Sequence, residues 1–158
     1  MKQYIGTKLV SVTPAIRKGG KVYSPTDEIP KSMEPVEEGY KVIYEDGYES
    51  WSPKDVFEEA YRPCDGMNFG LAIEALKQGK YVTRKGWNGK GMFLWLKPDA
   101  NVKAEWCKDP KLYDLAMQNG GEIEALGTIC MFTAQKQILS GWLASQTDML
   151  AEDWMILE

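Results

Sequence analysis

Residues between positions 69 and 148 carry side chains that could grip a small, flat, polar molecule. Phe69, Trp87 and Trp142 offer rings for stacking, a contact worth about 1–3 kcal/mol per base-sized partner. Arg84, Lys85 and Lys90 can meet an anion, and the glycine-rich turn Gly86-Trp87-Asn88-Gly89-Lys90-Gly91 adds backbone amides and the amide of Asn88. Ser145-Gln146-Thr147-Asp148 gathers hydroxyls, an amide and a carboxylate at the start of an expected helix, where unpaired N–H groups also point outward. Asp148 would repel a phosphate, so it suits hydroxyl or base N–H donors better. Each residue also has a plain structural reading. Phe69 lies on an apolar helix face and fits a core equally well. Ser145 and Asp148 can simply cap their helix, a role worth about 1 kcal/mol. Arg84 can be a surface charge on a hairpin, and Trp51, Trp95 and Trp154 read as packing residues. The turn lacks the Gly-x-x-x-x-Gly-Lys-Ser/Thr spacing of a phosphate loop and is weak evidence by itself.

Other chemistry is thinly supplied. Histidine is absent, which removes the commonest general base and metal ligand, and imidazole-dependent triads with them. A carboxylate set of Asp148, Glu152 and Asp153 keeps hydrolysis or transfer open as an alternative, although only 148 and 152 share a helix face. Cys64, Cys107 and Cys130 are widely spaced and form no Cys-x-x-Cys pair, so neither a disulfide framework nor a zinc site is expected. No metal or cofactor is implied. A net charge of −4 argues against wrapping polymeric nucleic acid. The apolar runs are too short to cross a bilayer, and the first residues lack a signal-peptide pattern, so a cytoplasmic protein without membrane contact is expected.

The 158 residues, 44% hydrophobic and 27% charged, suit one ordinary globular domain or two small ones. Two are expected: a small module over 1–62 and a ligand-binding domain over 67–158, joined by Pro63-Cys64-Asp65-Gly66. In the first, Lys2–Val12 reads as a strand and Lys18–Glu38 as a long loop or an irregular edge. Tyr40–Tyr44 and Tyr48–Trp51 flank an Asp46-Gly47 turn and predict a hairpin. Ser52 is the expected cap of a helix with Pro53 in its first turn. In the second, Asn68 caps a helix whose apolar face is Phe69, Ala72, Ile73 and Leu76, ending at Gly79. A hairpin follows over 81–97. Residues 98–127 look irregular apart from a short helix from Asp109-Pro110 to Met117. Strands are expected at Thr128–Thr133, Trp142–Ala144 and Trp154–Leu157, with a capping-box helix from Ser145 through Glu152. This order predicts an antiparallel α+β fold.

Three segments of the second domain, taken together, resemble a known family: Met67–Lys80, Arg84–Met92 and Gly141–Trp154. The Gly-Trp-Asn-Gly-Lys-Gly-Met and Ser-Gln-Thr-Asp…Ala-Glu-Asp-Trp runs, in this order, are similar to the second Thoeris anti-defence family of phages and prophages. That resemblance implies a non-enzymatic, homotetrameric sponge that encloses glycocyclic ADP-ribose between protomers, with cyclic dinucleotides or trinucleotides at separate sites in some members. It places the protein in the cytoplasm of an infected bacterium. Within the matched segments the chemistry of the side chains gives the candidate ligand set Phe69, Arg84, Trp87, Asn88, Trp142, Ser145, Gln146, Thr147 and Asp148. The chain departs from the shortest members by its first module and by the insertion-like stretch 98–127. The first module is similar to a short module of phage and prophage proteins, which leaves a protein-interaction or structural role as a further alternative.

Overall fold

The computed structural model describes residues 1–157 and divides into two compact units, Met1–Pro63 and a second beginning at Cys64. The first is built on strands β1 (Ser11–Lys18), β2 (Lys21–Tyr23), β3 (Val36–Ile43) and β4 (Glu49–Pro53), followed by helix α1 (Lys54–Ala60). The strands pair antiparallel in the order β2-β1-β3-β4. The expected hairpin is β3–β4, closed by Gly47 at φ +82°, a conformation glycine adopts without strain. Phe57 of α1 is buried between Tyr40, 4.7 Å away, and Tyr61, 4.6 Å away.

Three expectations for this unit need correction. The strand expected over 2–12 starts at Ser11 and runs to Lys18, because its eight residues pair with Val36–Ile43. The stretch 18–38, expected as a long loop or an irregular edge, contains the short edge strand β2, since Gly19 and Gly20, both at positive φ, fold the chain back tightly enough to pair Lys18 with Lys21. Ser52 does not cap α1. Pro53 occupies that position, and the Ser52 hydroxyl instead donates to the Pro53 carbonyl at 3.4 Å.

The second unit is an antiparallel α+β structure. Helix α2 (Phe69–Lys77) precedes β5 (Tyr81–Arg84) and β6 (Phe93–Lys97). Next come β7 (Ala100–Lys103), a 3-10 turn at Ala104–Trp106, α3 (Pro110–Gln118), β8 (Glu122–Ala125) and β9 (Thr128–Phe132). The chain continues through β10 (Ile138–Ser140), α4 (Gln146–Met149) and β11 (Trp154–Leu157). The main sheet has the order β10-β9-β6-β5-β11, while β7 and β8 pair apart from it. Ala72, Ala75 and Leu76 of α2 are buried with Val82, Leu94, Met131 and Trp154. Met67 and Trp154 exchange backbone hydrogen bonds of 2.8 and 3.1 Å, which ties the entry of α2 to the last strand.

Asn68 caps α2 as its position suggests, its Oδ1 accepting from the Leu71 N–H at 2.9 Å. Asp109 caps α3 in the same way. Residues 98–127 are more regular than expected, because β7 and β8 find each other across α3. Trp142–Ala144 is not a strand. The strand lies earlier, at Ile138–Ser140, where a turn at residues 134–137 sets it against β9, and Gly141 at φ +80° then redirects the chain. Helix α4 ends at Met149 rather than Glu152.

Replacing Asn68 with alanine removes the cap and should lower the stability of the second unit by about 1 kcal/mol, whereas Asn68→Gly should cost only a few tenths. Denaturant titration of both variants checks this ordering.

Candidate functional site: an aromatic cluster held by a buried carboxylate

The structure brings most of the predicted residues together. β11 lies antiparallel to β5 with Trp154 opposite Arg84, which places the helix tip at 145–148 beside the turn that follows β5. Trp154 is fully buried and forms the base of an aromatic cluster. Trp87 and Trp142 pack perpendicular to it at 5.4 and 6.2 Å, and Phe69 lies tilted against it at 5.5 Å. Trp87 and Trp142 are 6.1 Å apart at 67°, and Phe69 and Trp142 are 6.5 Å apart at 61°. All three predicted walls are half-buried, so each packs on the core and still presents surface. The two readings of Phe69, core and site wall, are therefore compatible.

Asp148 organises the polar side. Its Oδ1 accepts from Arg84 Nη1 at 2.8 Å and from the Trp87 indole N–H at 2.9 Å. Its Oδ2 accepts from the Ser145 N–H at 3.0 Å and the Ser145 hydroxyl at 2.7 Å. These contacts match the roughly four acceptor positions of a carboxylate. The backbone N–H of Asp148 donates to Ser145 Oγ, completing the capping box, and its carbonyl accepts from the Trp154 indole at 3.0 Å. Asp148 is 8% exposed. Its lone pairs are thus filled from within the chain, and its task in this structure is to hold three segments rather than to stand open to a ribose.

Arg84 is likewise committed. Its Nε donates to Asp153 Oδ1 at 2.8 Å while Nη1 reaches Asp148. Asp153 also accepts from the Gly86 N–H at 2.6 Å. A side chain at Gly86 would press on that carboxylate, since its Cβ would lie 2.7 Å from Asp153 Oδ2. Arg84 therefore bridges two carboxylates instead of facing outward as an anion contact.

Asn88, Ser145, Gln146 and Thr147 are exposed around the aromatic cluster, with Ser145 Oγ and Thr147 Oγ1 2.8 Å apart. Lys85 is exposed and paired with Asp65 at 3.1 Å, and Lys90 is exposed. Sequence reasoning missed the clamping role of Asp153. The available signal was its place beside Trp154: once β11 pairs with β5, residue 153 must stand next to 85.

Burial by itself would raise the Asp148 carboxyl, but hydrogen bonds from Ser145, Trp87 and Arg84 outweigh it and bring the group down to about 2. Asp153 is opposed by burial and lowered by Arg84 and the Gly86 amide. Burial works against the Arg84 charge, yet its two carboxylate partners raise its pKa. Carboxylates held ionised in this way are poor proton shuttles at neutral pH, because general acid–base work favours a pKa near the working pH. Among the described residues no group of His, Cys, Asp or Glu side chains could hold a metal ion, and no helix is long and apolar enough to cross a membrane.

An Asp148 pKa lowered on folding stabilises the protein above the unfolded value near 3.9, and that stabilisation is lost as pH falls through about 2. The loss is on the order of 2 kcal/mol for this group, with Asp153 acting in the same direction. Denaturant titration between pH 5 and pH 2 should show that decline in the parent and a shallower one in Asp148→Asn; parallel curves would contradict it.

Residues 67–157 match the Tad2-like family, described as the Thoeris anti-defense 2-like domain. The chain is 41% identical over 93 residues to Thoeris anti-defense 2 of Bacillus phage SP01, an alignment covering 58% of this chain and 94% of that protein. With the matched span exceeding half of its length, the chain belongs to the Tad2-like, Thoeris anti-defense 2-like family.

Proposed function

We propose that residues 67–157 bind and sequester, without degrading, a nucleotide-derived immune signal, and so act for a phage against bacterial defence. Glycocyclic ADP-ribose is the proposed ligand, with cyclic dinucleotides or trinucleotides as further ligands. The observation that carries this reading is the convergence of Phe69, Trp87 and Trp142 with the exposed polar tip Ser145–Thr147, in a chain that shares 41% identity with a Thoeris anti-defense protein.

The half-buried rings supply stacking surface, and Asn88, Ser145, Gln146 and Thr147 supply partners for ribose hydroxyls and base edges. Arg84 and Asp148 serve as positioning groups that fix Trp87 and the helix tip. With Arg84 already bridged to two carboxylates, charge for the diphosphate comes from Lys90, the weakly paired Lys85 and the amides of the 86–91 turn. Sequestration rather than hydrolysis is favoured by the ionised state of Asp148 and Asp153 and by the absence of histidine.

A sponge must outcompete a sensitive receptor, which calls for nanomolar binding, about −12 kcal/mol. Association costs on the order of 4–15 kcal/mol, so a few stacks on an open surface fall short and the site needs enclosure. A second copy can provide it. Leu143 and Leu150, on either side of the polar tip in sequence, are 89% and 78% exposed, an arrangement that favours burial in a homotetramer. Residues 1–62 are proposed as an accessory module that is not needed for ligand capture. The protein is proposed to act in the host cytoplasm, where the signal is made.

Heat-denaturing the protein after incubation with glycocyclic ADP-ribose should return intact ligand; a chemically altered product would establish turnover instead. Trp87→Ala and Trp142→Ala, shown to be folded by circular dichroism, should each weaken binding about 5- to 150-fold, the equivalent of one lost stack. Calorimetry that finds parental affinity in both would contradict the proposed site.

A further inference from the structure

The amino-terminal unit contains a cleft of about 270 Å³ that the ligand site does not account for. Its walls are Pro14 and Ile16 of β1, Tyr23 of β2, Pro25 and Ile29 of the following loop, and Tyr40 of β3. Glu38 and Lys54 also line it and are exposed, so they stand at its edge.

The cleft is braced from within. The Lys18 ammonium is nearly buried and donates to the Pro30 carbonyl at 2.8 Å, tying down the loop that carries Pro25 and Ile29. The Ser24 N–H donates to Asp27 Oδ2 at 2.7 Å, and the Asp27 N–H returns to the Ser24 carbonyl at 3.0 Å. Tyr40 packs on Phe57 and donates its hydroxyl to Glu58 at 2.7 Å. Walls held in this way need little ordering when something binds, which lowers the cost of association.

Size and lining narrow the occupant. Pockets for drug-sized ligands run to roughly 300–1,000 Å³, so this cleft is small for a nucleotide and fits one or two side chains of an extended peptide. Tyrosine and proline walls suit a proline ring, which packs on aromatic faces and belongs to a chain already stiffened in the polyproline conformation. The charge at the rim selects further. Glu38 lines the cleft and Glu58 adjoins it through the Tyr40 hydroxyl; of the cations, Lys54 lines it, its pair with Glu38 3.6 Å long and exposed and therefore weak, while Arg62 is engaged with the Glu58 carbonyl. The Tyr40 hydroxyl feels that excess of negative charge, its pKa raised by the hydrogen bond to Glu58 and by the two carboxylates.

We propose that this cleft docks a proline-containing segment of a partner protein, with lysine or arginine beside the proline. The partner is recognised by a ring that fills the cleft and by a cation that meets Glu38 and Glu58. This function is separate from nucleotide capture and uses none of its residues.

The test is a titration of the full chain against fluorescein-labelled Ala-Arg-Pro-Leu-Pro-Arg-Ala, followed by anisotropy and by backbone amide shifts. Control peptides carry alanine for both prolines or glutamate for both arginines. Ile29 is 47% exposed, so Ile29→Arg fills the cleft without disturbing the core, and Glu38→Lys reverses the rim. The expected result is saturable binding with shifts at Ile16, Tyr23 and Tyr40, about 10-fold weaker for either control peptide and either variant, and weaker at high salt. Absence of binding at roughly millimolar peptide, equal binding of the control peptides, undiminished binding by Ile29→Arg, or shifts confined to residues 64–157 would each overturn the proposal. Because no nucleotide is present, these outcomes are independent of whether the carboxy-terminal unit is a sponge.

Discussion

The carboxylate of Asp148 is the interaction on which the aromatic cluster of the second unit depends. It collects donors from β5, from the glycine-rich turn and from the start of α4. A buried carboxylate loses several kcal/mol of hydration, and only good geometry with nearly every lone pair satisfied repays that cost. Here one oxygen serves Arg84 and Trp87 while the other serves Ser145. Removing any donor leaves a charge short of partners, so the arrangement tolerates few alternatives. The Trp87 ring is therefore fixed at its nitrogen by Asp148 and by its perpendicular packing against Trp154.

This also explains how one surface can be aromatic and charged without collapsing. Arg84 bridges Asp148 to Asp153, and Asp153 holds the Gly86 amide, so the polar groups satisfy one another beneath the rings. What remains at the surface is uncharged or only weakly paired: Asn88, Ser145, Gln146, Thr147 and the lysines of the turn. Such a surface offers hydroxyl, amide and stacking groups that are already fixed in place from beneath.

Local signals were legible where they were self-sufficient. Asn68 and Asp109 cap helices because their side chains need only the next turn. Ser145 and Asp148 form the capping box that their spacing implies, and Asp46-Gly47 turns β3 into β4. The aromatic residues of the site were recognised from their segments, which matched a family pattern, and their convergence is visible only in three dimensions. Signals that depend on distant pairing misled. Strand β1 is defined by its ladder with β3, and nothing local stops it from starting nearer Lys2. β10 is a strand because β9 lies beside it, whereas at Trp142–Ala144 the ladder does not continue, although the Trp142 N–H still donates to the Ile129 carbonyl of β9 at 2.8 Å. Arg84 reads as a free cation in sequence because both of its partners lie more than sixty residues away.

The central claim is that Asp148 holds Trp87 in place, and hydrogen exchange at the Trp87 indole Nε1–H tests it most directly, with the resonance assigned through Trp87→Phe. The account predicts a protected indole proton in the parent and exchange at least about 10-fold faster in a folded Asp148→Asn protein, since one charge-assisted hydrogen bond is worth about 1.5–3 kcal/mol. Equal exchange in the two proteins would show that the ring is held by packing alone.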